Sequence, residues 1–178
     1  MIYISTELSH HGVKGMKWGV RKEKYSKKKE AKRSYMDMDK DLRKLESEEY
    51  GKYREHIKKT ADLHSKITKS AKASYKSGEI DKETYKKIKR ASRNEMYASD
   101  RNAEYKMAIG QYQLQKARKA NHLLYIEDVY GKEHKKYEKG KKALESATEY
   151  WSTGNSTYAV SQGSDGRYKV TRTDIYVY

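Results

Sequence analysis

Apolar and aromatic residues recur along most of this chain at steps of three and four, the spacing of one narrow helical face rather than the alternation of a strand. Between Lys22 and Tyr75 they fall at Tyr35, Met38, Leu42 and Leu45, then at Tyr53, Ile57, Ala61, His64, Ile67, Ala71 and Tyr75. The eight-residue step from Leu45 to Tyr53 departs from a strict heptad, so the pattern predicts a stutter near Gly51. Gly78 suits the left-handed residue after a helix end. Asp81 suits the N-cap of a second helix, with Ile80 and Tyr85 as a hydrophobic staple. An αα-hairpin turn is therefore expected near 77–81. The second helix is read from Lys82 to about Tyr130, with Ile88, Met96, Ala103, Met107, Leu114, Ala117, Leu124 and Val129 in its stripe. Gly110 weakens it locally and Gly131 marks a break. A third helical stretch is read through Tyr130, His134, Tyr137, Leu144, Ala147 and Trp151.

After Trp151 the period changes. Ser152-Thr153-Gly154-Asn155 reads as a linker, and 157–161 and 167–178 are rich in β-forming residues around the turn signal Asp165-Gly166. Two strands alone are marginally stable, so this hairpin is expected to dock on the helices, on another subunit's sheet or on a partner's sheet edge. The expected fold is mainly α: an elongated antiparallel helical hairpin or coiled coil with an N-terminal loop arm and a small C-terminal β-hairpin. Its segments are 1–21, 22–151 and 152–178. A continuous helix from Lys22 to Tyr75 would reach about 80 Å at the usual rise per residue. Its seam is poor in Leu and Ile, and a hairpin with so lean a seam is marginal alone. Self-association into a homo-oligomer, or a partner that covers the seam, is expected.

Composition sharpens this reading. The apolar fraction is 35% and the mean hydropathy −1.23, with no Phe, Pro or Cys but 18 Tyr. A large single core is not expected, and the absence of cysteine excludes disulfides and thiolate chemistry. Absence of proline leaves long helices unobstructed. No apolar run is long enough to span a membrane, and Met1–Ser9 lacks the basic and apolar regions of a cleaved secretion signal. The net charge is +16, from 41 basic and 25 acidic residues, and it is unevenly placed. Ten basic and two acidic residues lie between Val13 and Arg33, a local balance that favours polyanions: nucleic acid, an acidic protein surface or anionic lipid.

Within that stretch Lys22, Lys24, Tyr25, Lys27, Lys28, Lys29, Lys32 and Arg33 are the candidate nucleic-acid residues: cations for phosphates, with a tyrosine able to stack on an unpaired base. Lys86-Lys87-Ile88-Lys89-Arg90 is a second cluster. Lysine outnumbers arginine, which favours non-specific backbone contact over base reading. Solvated helix faces explain either cluster equally simply. No phosphate loop, nucleophile elbow or zinc-protease motif is present, and Glu48-Glu49 and Glu127-Asp128 read as salt-bridge partners on lysine-rich helices. His10-His11 lacks companions to complete a metal set. No catalytic residue, cofactor, metal or small-molecule substrate is expected.

The most distinctive stretch is His10-His11-Gly12-Val13-Lys14-Gly15-Met16-Lys17-Trp18-Gly19-Val20-Arg21-Lys22. Three glycines in eight residues argue for a shaped loop rather than a helix, since each costs about 1 kcal/mol against alanine in a helix interior. A tryptophan held there is a natural interface anchor. The alternative is an arm folded back, with Trp18 and Met16 capping the bundle. From His11 to Arg21 the run resembles an N-terminal signature of structural and head-assembly-region proteins in phages and prophages of Gram-positive bacteria. That resemblance implies a recognition arm for other phage structural proteins, carried by His11, Gly12, Gly15, Met16, Lys17, Trp18, Gly19 and Arg21. It implies a place in the virion or the host cytoplasm. Three readings stand: a non-enzymatic virion structural or assembly protein, a non-specific nucleic-acid-binding protein, and a phage factor acting on a host protein.

Overall fold

The computed structural model describes residues 18–145, 148–153 and 156–175, with side chains from residue 23 onward. Six elements follow in order: α1 (Trp18–Lys76), α2 (Lys82–Tyr130), α3 (Lys135–Glu145), β1 (Thr148–Ser152), β2 (Ser156–Gln162) and β3 (Tyr168–Asp174). The fold is mainly α, with α1 and α2 packed antiparallel, and the strands form one antiparallel sheet in the order β1-β2-β3. The chain divides into two compact units. The first holds Met1–Arg43 and Lys116–Ser146, the second Lys44–Gln115 and Ala147–Tyr178.

α1 begins four residues before the expected start, so Trp18, Gly19 and Arg21 lie in its first turn. The first amides of a helix have no intrahelical acceptor, and the glycine penalty of a helix interior does not apply there in full. α1 also runs through Gly51 without a stutter. Its inward face is marked by half-buried Asp39, Glu46, Tyr53, Thr60, Ile67 and Ser74, an unbroken seven-residue repeat. Met38, Leu45, Ala61 and Tyr75, assigned to that face by their apolar character, are exposed, as is Leu124 on α2.

The inward places go to polar groups because each finds a partner. In the first unit the Asp39 carboxylate pairs with Arg43 at 2.8 Å and Arg118 at 3.9 Å, and the Asn121 amide donates to the Tyr35 carbonyl at 3.1 Å. Tyr35 packs against Tyr125, ring centroids 5.1 Å apart. In the second unit Thr60 donates to Asp100 at 2.6 Å, while His56 and His64 hydrogen-bond Ser99 and Ser92 at 3.1 and 2.8 Å.

The hairpin turn forms as expected. Gly78 takes φ +81°, and the Glu79 amide donates to the Ser74 carbonyl at 3.0 Å, closing the end of α1. The Asp81 carboxylate accepts the Thr84 amide at 2.7 Å, and this bond, with the Thr84 hydroxyl, holds its pKa below the ordinary value. Tyr85 stacks on Tyr75 across the turn, centroids 5.6 Å apart and planes 15° from parallel. α2 ends at Gly131, φ +84°, whose amide donates to the Glu127 carbonyl.

The C-terminal element has three strands, not two. β1 takes Trp151, which the helical spacing had placed on the third helix, and pairs it with Tyr158 of β2. Residues seven apart share a face of a helix but lie on opposite faces of a strand, so the spacing of Leu144 and Trp151 pointed to helix; the ring contacts decide for a strand. Trp151 lies 5.3 Å from Tyr158 and 6.1 Å from Tyr53 of α1. β2 buries Ser156, Tyr158 and Val160 at alternate positions, and Tyr158 and Val160 meet Ala108 and Tyr112 of α2. Tyr168 and Val170 of β3 extend the same cluster. Docking on α2 thus supplies what an isolated hairpin lacks. The β2–β3 loop turns on Gly166 at φ +77°, with the Gly163 amide bonded to the Arg167 carbonyl.

Two glycine substitutions should act in opposite directions. Gly78→Ala forces a side chain into the left-handed region and should lower unfolding free energy by about 1–2 kcal/mol. Gly110→Ala, mid-helix with nothing within 4 Å of a new Cβ, should raise it by roughly 0.5–1 kcal/mol. Urea unfolding followed by circular dichroism measures both; equal signs would contradict the assigned backbone.

Candidate functional site

Two places on the described chain gather chemistry. The first lies in the second unit, where sheet and helices enclose a cleft of about 480 Å³. Its floor is polar. Tyr158 is wholly buried, and its hydroxyl donates to the Glu104 carboxylate. Burial, then this hydrogen bond, drives the Tyr158 phenol pKa well above its ordinary value. Tyr53 faces the same carboxylate. Burial first, and the negative charges of Glu104 and Asp100 after it, push its phenol up to about 12.

On the sheet side Ser156 donates to Asp174 at 2.9 Å and accepts from the Arg172 guanidinium at 2.9 and 3.1 Å, while Arg172 pairs with Asp174 at 2.8 Å. Ser156 is 1% exposed and has no imidazole against it among the described residues. Each of these groups is already engaged by another. The arrangement can lock the sheet to the helices; it does not present a free nucleophile.

The second place is the basic N-terminal part of α1, in the first unit. Residues 23–30 are exposed without exception, Tyr25 at 73%. Tyr25, Lys29 and Lys32 follow steps of four and three and share one stripe, with Arg33 four residues beyond Lys29. Lys27 is tied to Glu23 at 2.8 Å, and that bond raises its pKa. Lys28 leaves the run for a composite cluster: its ammonium sits 5.8 Å from the Tyr130 ring centroid and that of Lys136, from α3, sits 4.4 Å from it. Tyr130 also packs on His134 at 4.9 Å. The structure therefore joins Lys28 to Lys136 of α3, which the linear reading left out. Its one sequence signal was the Lys-Lys-Tyr run at 135–137.

Of the expected recognition residues, His11, Gly12, Gly15, Met16 and Lys17 lie outside the described residues. Trp18, Gly19 and Arg21 are placed by backbone only, at the start of α1, and Lys22 likewise. The Glu104–Tyr158 pair was missed because a carboxylate in a lysine-rich helix reads as a surface ion-pair partner.

Residues 1–25 match a family of unknown function, DUF7211. No curated protein and no solved structure matches the chain. Among the described residues no helix is long and apolar enough to cross a membrane.

The raised phenols fix a pH dependence. A group whose folded pKa exceeds its unfolded value stabilises fully below the unfolded value, here near 10, and ceases to as pH rises through the folded one. Stability should hold to pH 10 and fall steeply towards pH 12, because the unfolded chain releases the Tyr53 and Tyr158 phenolic protons there while the folded chain keeps them beside Glu104. Tyr158→Phe should blunt that fall and, by leaving a part-buried carboxylate short of a donor, lower neutral-pH stability by about 1–3 kcal/mol. Thermal melts across pH read both effects. An unchanged alkaline limb in Tyr158→Phe would exclude the pair as its source.

Proposed function

We propose that this chain is a non-enzymatic phage virion structural or assembly protein, in which the N-terminal arm recognises another particle protein and the helical hairpin carries that arm. One observation bears most of the weight: residues 23–30 are exposed on every face of α1. Two helical turns with no buried side chain, touching the rest of the described chain at Lys28 over the Tyr130 ring, are marginal in water, so something outside this chain is expected to cover them. The adjoining run His11–Arg21 resembles the phage signature and supplies the class of that partner. The match over residues 1–25 falls on the same end of the chain. Exposed Met36, Met38 and Leu45 on α1 favour self-association as a further contact. The inside of the head or the head–tail region suits a protein of this charge, which there meets packaged DNA.

A second reading, non-specific nucleic-acid binding through the same helix, draws support from Lys28 and Lys136 over the Tyr130 ring. The third, action on a host protein, rests on no particular residue.

Quantitative mass spectrometry of purified particles, beside the unfractionated lysate, separates the readings. The full chain should be enriched in particles, and Trp18→Ala should lower that enrichment at least about tenfold, the loss expected of an interface anchor. Circular dichroism should show its helix content unchanged. A full chain absent from particles overturns the virion reading, and an unaffected Trp18→Ala overturns the role of the arm.

A further inference from the structure

The hairpin turn carries a charge pattern of its own. Ten basic and three acidic residues lie between Lys66 and Arg93. Two of those acids are engaged locally: Asp81 caps α2 and Glu83 pairs with Lys86 at 2.9 Å. The cations are not spread evenly around the helices. Ala71, Tyr85, Ile88 and Ser92 are buried or half-buried seam residues, and the residue directly after each is basic and exposed: Lys72, Lys86, Lys89 and Arg93.

One residue further along a right-handed helix is a rotation of about 100°. In two antiparallel helices facing each other, that rotation brings the following residues of both helices to the same flank of the pair. The residues directly before these seam positions and before the inward Ile67 are Ser70, Thr84, Lys87, Ala91 and Lys66, of which two are cations. One flank therefore carries a row of four cations and the other carries two. At the head of the basic flank Tyr75, 40% exposed, is held by its stack on Tyr85.

We propose that this flank of the turn is a nucleic-acid-binding surface: Lys72, Lys86, Lys89 and Arg93 contact consecutive phosphates of a single strand, and Tyr75 stacks on an unpaired base. Lysine-rich rows neutralise phosphates without reading sequence. An aromatic face set beside them, and pre-ordered by a second ring, is the element that single-strand binders add. A membrane surface is disfavoured because the turn offers no exposed aliphatic side chain to insert: Ile80 is half-buried. The surface is separate from residues 22–33 and stands whether or not the proposal for the N-terminal arm holds.

The test uses the full chain and a fluorescent single-stranded oligonucleotide, with anisotropy measured across a salt series. The variant combining Lys72→Gln, Lys86→Gln, Lys89→Gln and Arg93→Gln should flatten the slope of log affinity against log salt by about 2–3, near 0.7 for each lost phosphate contact. Tyr75→Ala should weaken binding about fivefold or more with the slope unchanged, as loss of a stacked base requires. A control combining Lys40→Gln, Lys44→Gln, Lys58→Gln and Lys59→Gln, exposed cations outside both basic clusters, removes the same charge elsewhere. All substituted cations are solvent-facing, and circular dichroism confirms retained helix. Equal losses in the two quadruple variants would reduce the effect to net charge and overturn the proposal. So would unaltered oligonucleotide affinity in the turn variant, or binding of that flank to phosphatidylserine vesicles in preference to the oligonucleotide.

Discussion

A tyrosine taken into an interior brings a hydroxyl that must be satisfied there, and this chain, which has no phenylalanine, builds a compact helix–sheet core largely from tyrosines. Tyr158 shows the constraint most sharply. Its ring fills the space between β2 and α2, edge-on to Tyr105 at 6.0 Å, and its hydroxyl is accepted by Glu104 on the same helix. The carboxylate in turn needs company, which Tyr53 of α1 supplies. Sheet, central helix and first helix are thereby tied through one acidic group. Remove the acceptor and a buried phenol loses its carboxylate partner; remove the phenol and the carboxylate is left to Tyr53.

The same logic governs the helix pair. A seam carrying Asp39, Thr60 and Asp100 at inward positions, with His56 and His64 beside them, gains little from apolar burial and depends on each polar group meeting its own partner. Such contacts specify register: Thr60 can meet Asp100 in one alignment of the helices only. They add less to stability than leucines would, because each trades a bond to water for a bond to protein. The apolar residues displaced from the seam, Met36, Met38 and Leu45 among them, are left on the surface of α1. A specified but thinly stabilised helix pair with apolar groups outside is a form that gains from a partner.

These trades explain what the sequence did and did not disclose. Helix number, the turn at Gly78 and Asp81, and the β-forming tail were legible, because propensity, capping and turn chemistry act locally and leave local marks. The face of α1 was legible only in part. Tyr35, Leu42, Tyr53, Ile57, His64, Ile67 and Ala71 lie inward as their spacing implied, whereas Asp39 and Glu46 hold heptad positions that no reading for apolar residues would assign. The apparent stutter at Gly51 came from skipping Glu46. β1 was hidden because Leu144 and Trp151, seven apart, continue a helical count; only long-range contacts with Tyr158 and Tyr53 reveal a strand. Glu104 was hidden for the same reason, its partner lying 54 residues away.

Charge and packing are divided differently along α1. From Ala31 onward the helix has an inward face; before it, residues 23–30 have none. Exposed ion pairs such as Lys27–Glu23 add little to a solvated helix, too little to order two turns against their conformational entropy. The cost falls if a partner arrives with its own surface to bury or its own phosphates to neutralise. Lysines 24, 28 and 32 follow steps of four, with Lys29 three before Lys32, so these four cations share one side of the segment. At the turn, too, the cations share one flank. A row of solvent-facing lysines at either place can meet a strand of phosphates; what sets the turn apart is the Tyr75–Tyr85 stack held beside its cations, which offers an ordered aromatic face as well as charge.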